Sequence, residues 1–513
     1  MESKKRFAIN GFAQVFAFFV SLGITFFLTP YIVKQLGAAA YGFVGLASNF
    51  VSYAQIITIA LNSMAGRFIT ISIHQNKIEE ARKYFSSVFF SNIFLVAVIN
   101  IIGIITLIKL EYIIKIPEEL LLDVKMLFGC IFLNFFISII FNVYNVSCFI
   151  RNRLDLSSTR TIIANALKAT LLIGMFYFFS PAVWFIGLAT VISTIYIVIT
   201  NIHFRRKLTP ELIIGIKYFD LKSIKELLSA GVWNIISRLN SILCHGLDLF
   251  IANLFVGPTE MGLLAIAKRI PTLTLTLFEW INSIFAPPWT KLYAQGKTAE
   301  FHHEIQQSLR IFGFVSSIPI AFIFVFSDWF YQLWLPAQNA RLLYLLTIAG
   351  CIDLPIAMPL QPIYNIYPIT NKIKANSLFC VGLYAVSFSC IIICMYATDD
   401  PIIHMFSIAG TGAAFSVLRA LTFQPIYGAH CAKIKVKFLY ANTFRSVFAF
   451  GVLLIPLFLF KAQFSNITWG TLILGGIATT VIGGVIGYFF ICNKQDRKAL
   501  AEIAIAIKNK FHK

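Results

Sequence analysis

The chain has 513 residues, of which 58% are hydrophobic and only 12% are charged. Soluble domains carry roughly 25% charged residues, so the composition excludes a water-soluble fold and predicts an all-α integral membrane protein. The formal charge of +20 does not indicate nucleic-acid binding, because the basic residues lie in short clusters between apolar segments, as in cytoplasmic loops.

Fourteen apolar segments have about the 20 residues that a membrane-spanning helix needs. In chain order they are 7–28, 42–62, 84–108, 124–148, 161–180, 182–201, 227–254, 260–288, 309–330, 341–366, 374–397, 402–427, 438–460 and 468–492. The fifth and sixth are separated only by Ser180 and Pro181, and the tenth is interrupted by three prolines, so the count is fixed to within one or two.

The distribution of basic residues predicts the orientation of these spans. With the N-terminus in the cytoplasm, the inner segments hold thirty Lys and Arg and the outer loops hold six. The positive-inside rule therefore predicts both termini in the cytoplasm. Two inner segments also have an apolar face and are predicted as surface helices, one at 219–228 with Asp220 as its cap and one at 494–513.

An ungapped offset of 220 residues aligns the first span with the seventh. It pairs Gly37 with Gly257, Gly42 with Gly262 and Asn62 with Asn282, among eleven identities. A repeat of six spans enters the membrane twice from the same side, which is the parallel-repeat plan of some transporters, with the substrate path between the halves. The predicted lobes are 1–210 and 211–435, followed at 436–513 by two extra spans and the amphipathic tail.

Three segments carry a family resemblance. They are LGAAAYG after the first span, FDLKSIKELLSAGVW leading into the seventh, and VGPTEMGLLAIAKRI after the seventh. Together with the two six-helix lobes and two C-terminal helices, they resemble the polysaccharide transporters of the multidrug/oligosaccharidyl-lipid/polysaccharide exporter superfamily. Within it, the chain is most similar in kind to the Wzx-type flippases, which move undecaprenyl-pyrophosphate-linked oligosaccharides across the bacterial inner membrane.

Charged groups inside the membrane are candidate functional sites, because each costs roughly 2.5–3.5 kcal/mol at the bilayer centre. The predicted ligands of a pyrophosphate and glycan are Arg238, Asn234, Lys168, Lys268, Arg269 and Arg419. Snorkelling or structural pairing is the alternative for these cations. Arg67, at the inner end of the second span, is predicted to be a gate or headgroup contact.

The embedded acids and one histidine form a second candidate set. Asp248, His245, Asp353 and Glu279 are the predicted binding residues for a coupling ion. On a regular helix, Asn234, Arg238, Ser241, His245 and Asp248 would share an arc of about 80°. The first lobe has no acid in its apolar cores, which favours an anionic substrate over the organic cations of a drug antiporter.

These features predict a flippase for a polyprenyl-pyrophosphate-linked oligosaccharide. It would move this substrate from the inner to the outer leaflet of the bacterial cytoplasmic membrane by alternating access, for surface polysaccharides such as O-antigen. The expected partners are the lipid-linked glycan, the bilayer and polysaccharide polymerase machinery, with no nucleic acid. No catalytic motif, metal cluster or cofactor site is found, so transport is expected to run on an ion gradient such as that of protons or sodium, on the membrane potential, or on the substrate's own gradient.

Two alternatives to the flippase remain open. One is a cation-coupled multidrug or metabolite antiporter of the same superfamily, which would use the embedded acids. The other, from the enzyme class, is a membrane polysaccharide polymerase or ligase. That enzyme would need a sizeable outer loop with catalytic Arg or His, and the longest predicted outer loop has about 16 residues.

Overall fold

The computed structural model describes residues 2–493 and residue 497. Within that part every regular element is helical. The α-helices are α1 (Glu2–His74), α2 (Ile78–Ile108), α3 (Leu110–Ile113), α4 (Leu121–Phe141), α5 (Val146–Ile150), α6 (Leu154–Phe178), α7 (Trp184–Leu208), α8 (Leu221–Ser241), α9 (Asp248–Ile251), α10 (Pro258–Ala267), α11 (Arg269–Ser283), α12 (Ala286–Ala294), α13 (Thr298–Trp334), α14 (Ala340–Cys351), α15 (Leu354–Ala357), α16 (Ile366–Ile369), α17 (Ile373–Ala397), α18 (Pro401–Leu421), α19 (Phe423–Ala432), α20 (Val436–Ala462) and α21 (Trp469–Phe490). The predicted amphipathic helix at 494–513 lies, apart from Arg497, outside the described residues.

Short irregular turns interrupt or connect these helices. The 3-10 turns are Glu118–Leu120, Asn142–Asn145, Ile216–Tyr218 and Met358–Asn365, and the π turns are Ile242–Gly246 and Ala252–Val256. Prolines 355, 359 and 362 lie in or beside the turn Met358–Asn365, so the predicted interruption of the tenth span is confirmed.

Thirteen helical segments of the described chain are long and apolar enough to cross a membrane. The first, Ala13–His74, has 62 residues and would be about 93 Å long at 1.5 Å per residue, three times the thickness of the hydrocarbon core. Gly37 divides it, with a φ of 83° that no α-helix contains. The all-α membrane fold is therefore confirmed, and dividing the first segment at Gly37 brings the candidate spans of the described chain to fourteen. Between the first two predicted spans the chain stays helical except at Gly37.

The eighth span is broken in its interior by Pro271. Proline has no N–H to donate to the carbonyl of Ala267, four residues earlier. That carbonyl instead accepts hydrogen bonds from the hydroxyl of Thr347 at 3.2 Å and that of Tyr331 at 3.5 Å. The break separates α10 from α11 and places Lys268 at the junction.

The segment 219–228 was predicted as a separate surface helix. Its cap is confirmed, because the Asp220 carboxylate accepts from the backbone N–H groups of Lys222 at 3.3 Å and Ser223 at 3.0 Å. The separate helix is wrong, since the segment continues without a break as the first part of α8. A helix that begins with a polar turn and then enters the membrane needs no loop between the two parts.

Left-handed backbone turns fall at matching positions of the two sequence copies. The pairs are Gly37 with Gly257, Asn76 with Gly296, and Asn152 with Asn371. The first two pairs keep the offset of 220, and the third is one residue shorter. Helices α6 and α17, which follow the third pair, both contain 25 residues. The backbone thus repeats in the way that the sequence offset predicts.

Contacts divide the chain into two compact units, Met1–Ala265 and Ile266–Lys513. The lobe boundaries at 210 and 435 remain predictions. Within the first unit, α8 packs against α1 through Gly231, where an added Cβ would collide with the backbone carbonyl of Ala60. Gly42 and Gly262 also approach so closely that neither has room for a side chain. Small residues allow such backbone approach between membrane helices.

Candidate functional site

The contact of α8 with α1 determines the surroundings of Arg238. Its Nη2 donates to Oε1 of Gln55 at 2.8 Å, and one turn earlier Nδ2 of Asn234 donates to Oγ of Ser63 at 2.8 Å. Arg238 is half-buried, and its Nε is buried without an acceptor among the described residues. The guanidinium is thus positioned by a neutral amide, which leaves its charge available to an anion.

Three asparagines join α1, α2 and the turn Asn142–Asn145. Asn62 and Asn92 exchange hydrogen bonds of 2.9 and 3.0 Å, and Nδ2 of Asn142 donates to Oδ1 of Asn62 at 3.2 Å. Asn92 is fully buried and also donates to the carbonyl of Ile139 at 2.8 Å. These bonds hold the end of α4 against the second half of α1.

A polar groove of about 590 Å³ opens beside these amides. Its lining residues are Asn62, Ser63, Ala65, Gly66, Arg67, Thr70, Ile71, Asn142, Val143, Asn145, Val146 and Phe149. The lining contains no acidic residue. Arg67 is exposed and has no hydrogen bond or ion pair within the described part of the chain. The position is consistent with the predicted headgroup or gate role, which stays a prediction.

Arg160 is a further cation that the sequence analysis did not single out. Only 7% of this residue is exposed, and its guanidinium donates to the side chains of Asn201, Asn145 and Ser157. Arg160 lies just before the predicted fifth span, 161–180, because five of the seven residues at 154–160 are polar or charged. Helix α6 begins at Leu154 instead, which puts Arg160 nearly two turns inside it. The cap-like Asp155 in the first turn was the available signal.

The other predicted cations are distributed over both units. Lys168 is partly buried on α6, one turn after Asn165, whose amide donates to Oγ of Ser21 at 2.6 Å. Lys268 and Arg269 are partly buried at the break between α10 and α11, and Nε of Arg269 is buried without an acceptor in the described chain. Lys168 and Arg238 belong to the first unit, and Lys268 and Arg269 to the second.

Arg419, on α18, is enclosed within the second unit. Its guanidinium lies 5.4 Å from the ring centre of Tyr364 and 5.5 Å from that of Tyr384. It also donates to Oγ of Ser416 at 3.4 Å. The structure thus gives Arg419 two aromatic rings and a serine hydroxyl as neighbours. Within the described residues Asp353, a predicted coupling acid, forms no ion pair with Arg419.

The remaining coupling candidates lie on α9 and α11. Asp248 is 4% exposed and begins α9, between the two π turns. The π turn Ile242–Gly246 changes the rotation between Arg238 and Asp248, so the predicted regular polar face does not continue from one to the other. The side chain of His245 lies outside the described residues. Glu279 is exposed on α11.

The comparisons with known proteins agree with this architecture. Residues 33–340 match a family described as polysaccharide biosynthesis protein. The chain is 25% identical over 500 residues to EpsK of Bacillus subtilis strain 168, described as an uncharacterized membrane protein, covering 96% of this chain and 97% of that protein.

Two solved structures share the fold at 15% sequence identity. The lipid II flippase MurJ in its inward closed conformation has a TM-score of 0.65, over 94% of this chain and 99% of that one. An inward-facing multidrug resistance MATE family transporter of the MOP superfamily has a TM-score of 0.65, over 81% and 95%. The predicted resemblance is confirmed: the chain belongs to the polysaccharide biosynthesis protein family and has the fold of the multidrug/oligosaccharidyl-lipid/polysaccharide exporter superfamily.

Proposed function

We propose that this protein is a flippase for a polyprenyl-pyrophosphate-linked oligosaccharide. It moves the glycan and the pyrophosphate from the inner to the outer leaflet of the bacterial cytoplasmic membrane by alternating access, while the polyprenyl tail stays in the bilayer. Membership of a polysaccharide biosynthesis family and a fold shared with a lipid II flippase support this proposal. The product would be passed to polysaccharide polymerase machinery for surface polymers such as O-antigen.

The bond between Arg238 and Gln55 is the observation that carries the proposal. A half-buried arginine that serves only the fold usually has a carboxylate partner, because an unpaired charge is costly to remove from water. Here the acceptor is a neutral amide, Oε1 of Gln55, at 2.8 Å. Guanidinium groups bind phosphate oxygens in bidentate fashion, so an anionic headgroup fits this position.

Reconstitution into liposomes tests the proposal directly. Wild-type protein is expected to accelerate the crossing of a short-chain polyprenyl-pyrophosphate disaccharide, and Arg238→Ala to slow it by about one to two decades, since one charge-assisted bond contributes roughly 1.5–3 kcal/mol. Arg341→Ala, at an exposed arginine in the first turn of α14, is the matched control. If wild-type liposomes scrambled the lipid no faster than empty ones, the proposal would be wrong.

A cation-coupled multidrug or metabolite antiporter is the second candidate. It is favoured by Asp248, an acid 4% exposed between two π turns, since π turns are frequent at functional sites. Proton or sodium coupling is proposed here for either function. Transport by Asp248→Asn with and without an imposed pH gradient tests it. Unchanged rate and unchanged gradient dependence would remove Asp248 from the mechanism.

The cytoplasmic location of both termini is part of the proposal. It rests on the thirty-to-six distribution of basic residues between the two sides. Cysteines introduced at Lys217 and at Glu118 should react with an impermeant maleimide on opposite sides of the membrane, with Glu118 labelled from outside in intact cells. Labelling of Lys217 and protection of Glu118 would invert the topology.

A further inference from the structure

The turn Asn142–Asn145 carries side chains of the polar groove on one side and contacts two arginines on the other. Arg160 of α6 donates to Oδ1 of Asn145 through both terminal nitrogens, at 3.4 Å each. Arg205 of α7 lies over the ring of Tyr144, 5.9 Å from its centre. The Nε atoms of both arginines are buried and have no acceptor among the described residues. Two guanidinium groups therefore lie directly behind this turn.

Neither arginine is paired with a carboxylate in the described chain. The side-chain acceptors of Arg160 are two asparagine amides and one serine hydroxyl. The two acids nearest in sequence already have partners, since Asp155 binds Arg153 at 2.9 Å and Glu211 binds Arg151 at 2.8 Å. Arg160 is more than nine-tenths buried and its hydrogen-bond partners are neutral, so its charge raises the positive potential around the turn.

This arrangement determines what the groove offers to a ligand. Because Oδ1 of Asn145 accepts from Arg160, the Nδ2 group of the same amide is left to donate. Asn145 lines the groove together with the exposed guanidinium of Arg67, and no acidic residue is among the lining side chains. Phosphate oxygens only accept hydrogen bonds, so a phosphate group matches the donors of Arg67 and Asn145 with positive charge behind them.

The second copy of the repeat lacks these groups at the corresponding positions. The offset of 220 places Pro287 opposite Arg67, and the equal lengths of α6 and α17 place Phe379 opposite Arg160. Asn365 corresponds to Asn145, but its amide donates to Asn282 at 3.0 Å instead of bonding an arginine. The same helical scaffold is thus built without the arginines, which argues against a purely structural need for them.

We propose that the polar groove is a phosphate-binding site that receives the pyrophosphate of the lipid-linked substrate before the substrate reaches Arg238. This inference rests on the proposed function and adds a second subsite to it. Ser63 connects the two subsites, because it lines the groove and also accepts from Asn234, one turn from Arg238. Arg67 and Gln55 are twelve residues apart on α1, or about 18 Å along the helix.

The test measures binding of inorganic pyrophosphate and of geranylgeranyl pyrophosphate to the purified full-length protein by calorimetry. Arg160→Gln risks unfolding, so Asn145→Asp is the main variant: it gives Arg160 a carboxylate and puts a negative charge on the groove wall. We expect Asn145→Asp to lower the affinity for both ligands at least tenfold and to leave the melting temperature equal to or higher than that of wild type. Asn365→Asp, the same change in the other copy, is the matched control and should alter binding less than twofold.

Two results would overturn the inference. One is wild-type affinity in Asn145→Asp, and the other is displacement of pyrophosphate by equimolar short-chain phosphatidylglycerol, which would make the groove a phospholipid headgroup site. Liposome flipping separates this inference from the proposed function. Normal flipping and binding by Asn145→Asp would reject the groove site alone. The opposite outcome has two parts: the wild type flips no lipid-linked pyrophosphate, yet it binds pyrophosphate and Asn145→Asp abolishes that binding. This outcome would reject the proposed function and keep the groove as a phosphate site.

Discussion

The two copies of the repeat use the same scaffold for different side-chain chemistry. In the first copy Asn62 of α1 bonds the buried Asn92 of α2. In the second copy Asn282 bonds Asn365, and the position corresponding to Asn92 is Phe312, 1% exposed among aromatic neighbours. One copy therefore has a polar interior beside a groove and the other an apolar core. The fold is therefore compatible with a polar or an apolar interior at this position. Folding alone does not explain the polar interior of the first copy, which favours a functional role for it.

Exchanging the two interiors should produce the largest effects. Phe312→Asn removes the ring contact with Phe278, whose centre lies 5.6 Å away, and buries an amide that has no hydrogen-bond partner in place. We therefore expect the free energy of unfolding to fall by about 4 kcal/mol. Asn92→Leu removes the two hydrogen bonds between Asn92 and Asn62 and the one from Asn92 to the carbonyl of Ile139, so the free energy of unfolding should fall by about 2–3 kcal/mol. Thermal unfolding of the purified protein in detergent measures both.

A matched control for these exchanges is Leu378→Asn, at an exposed apolar residue of α17. It introduces an amide without emptying a core, and in detergent its melting temperature should fall least of the three. If Asn92→Leu were as stable as wild type, the amide cluster would not hold the end of α4 in place, and the comparison of the two copies would lose its basis.

The arginines of the two units should respond differently to lysine. Arg238→Lys keeps the charge but loses the planar fork, so substrate binding should fall by less than tenfold with an unchanged melting temperature. Arg419→Lys loses the stacking on Tyr364 and Tyr384, and we expect it to lose about 1–2 kcal/mol of stability. Binding assays and melting curves on both variants check this. Equal melting temperatures for the two would mean that Arg419 is not held by its aromatic neighbours.

The smallest effect should come from the cap of α8. Ser223 donates to Asp220 from its hydroxyl and its backbone N–H, which holds the pKa of the Asp220 carboxyl below its usual range. A lowered folded-state pKa gives stability that is present above the unfolded value of about 3.9 and lost as the pH falls through the folded value. Asp220→Ala should cost about 1 kcal/mol at pH 7.

Melting curves between pH 7 and pH 3 measure the cap. The difference in melting temperature between wild type and Asp220→Ala should shrink towards pH 3. Asp220→Asn should keep most of the stability of the cap without the pH dependence, because an amide oxygen also accepts from the helix N–H groups. An advantage of wild type over Asp220→Ala that did not change with pH would show that ionisation of the carboxyl does not strengthen the cap.

Much of the fold could be predicted because its signals are local along the chain. Apolar runs predict fourteen spans, and the two glycines paired by the sequence offset, Gly37 and Gly257, both lie at turns of positive φ. The boundaries were less predictable, since hydropathy does not detect helix in polar turns. Residues 154–160 and the segment 219–228 belong to helices that begin earlier, or continue further, than the apolar windows.

The sequence by itself determined a polytopic membrane protein, its internal repeat and the identity of its embedded charges. Tertiary structure decided which of those charges have partners. Arg238 meets Gln55 because Gly231 lets two helices touch, and Arg419 meets two tyrosines from other helices. Such contacts depend on the rotation and depth of each helix against its neighbours, which π turns and proline breaks alter. Composition and periodicity do not predict these contacts. The burial of Arg160 and the groove in front of it can therefore be seen only in the packed helices.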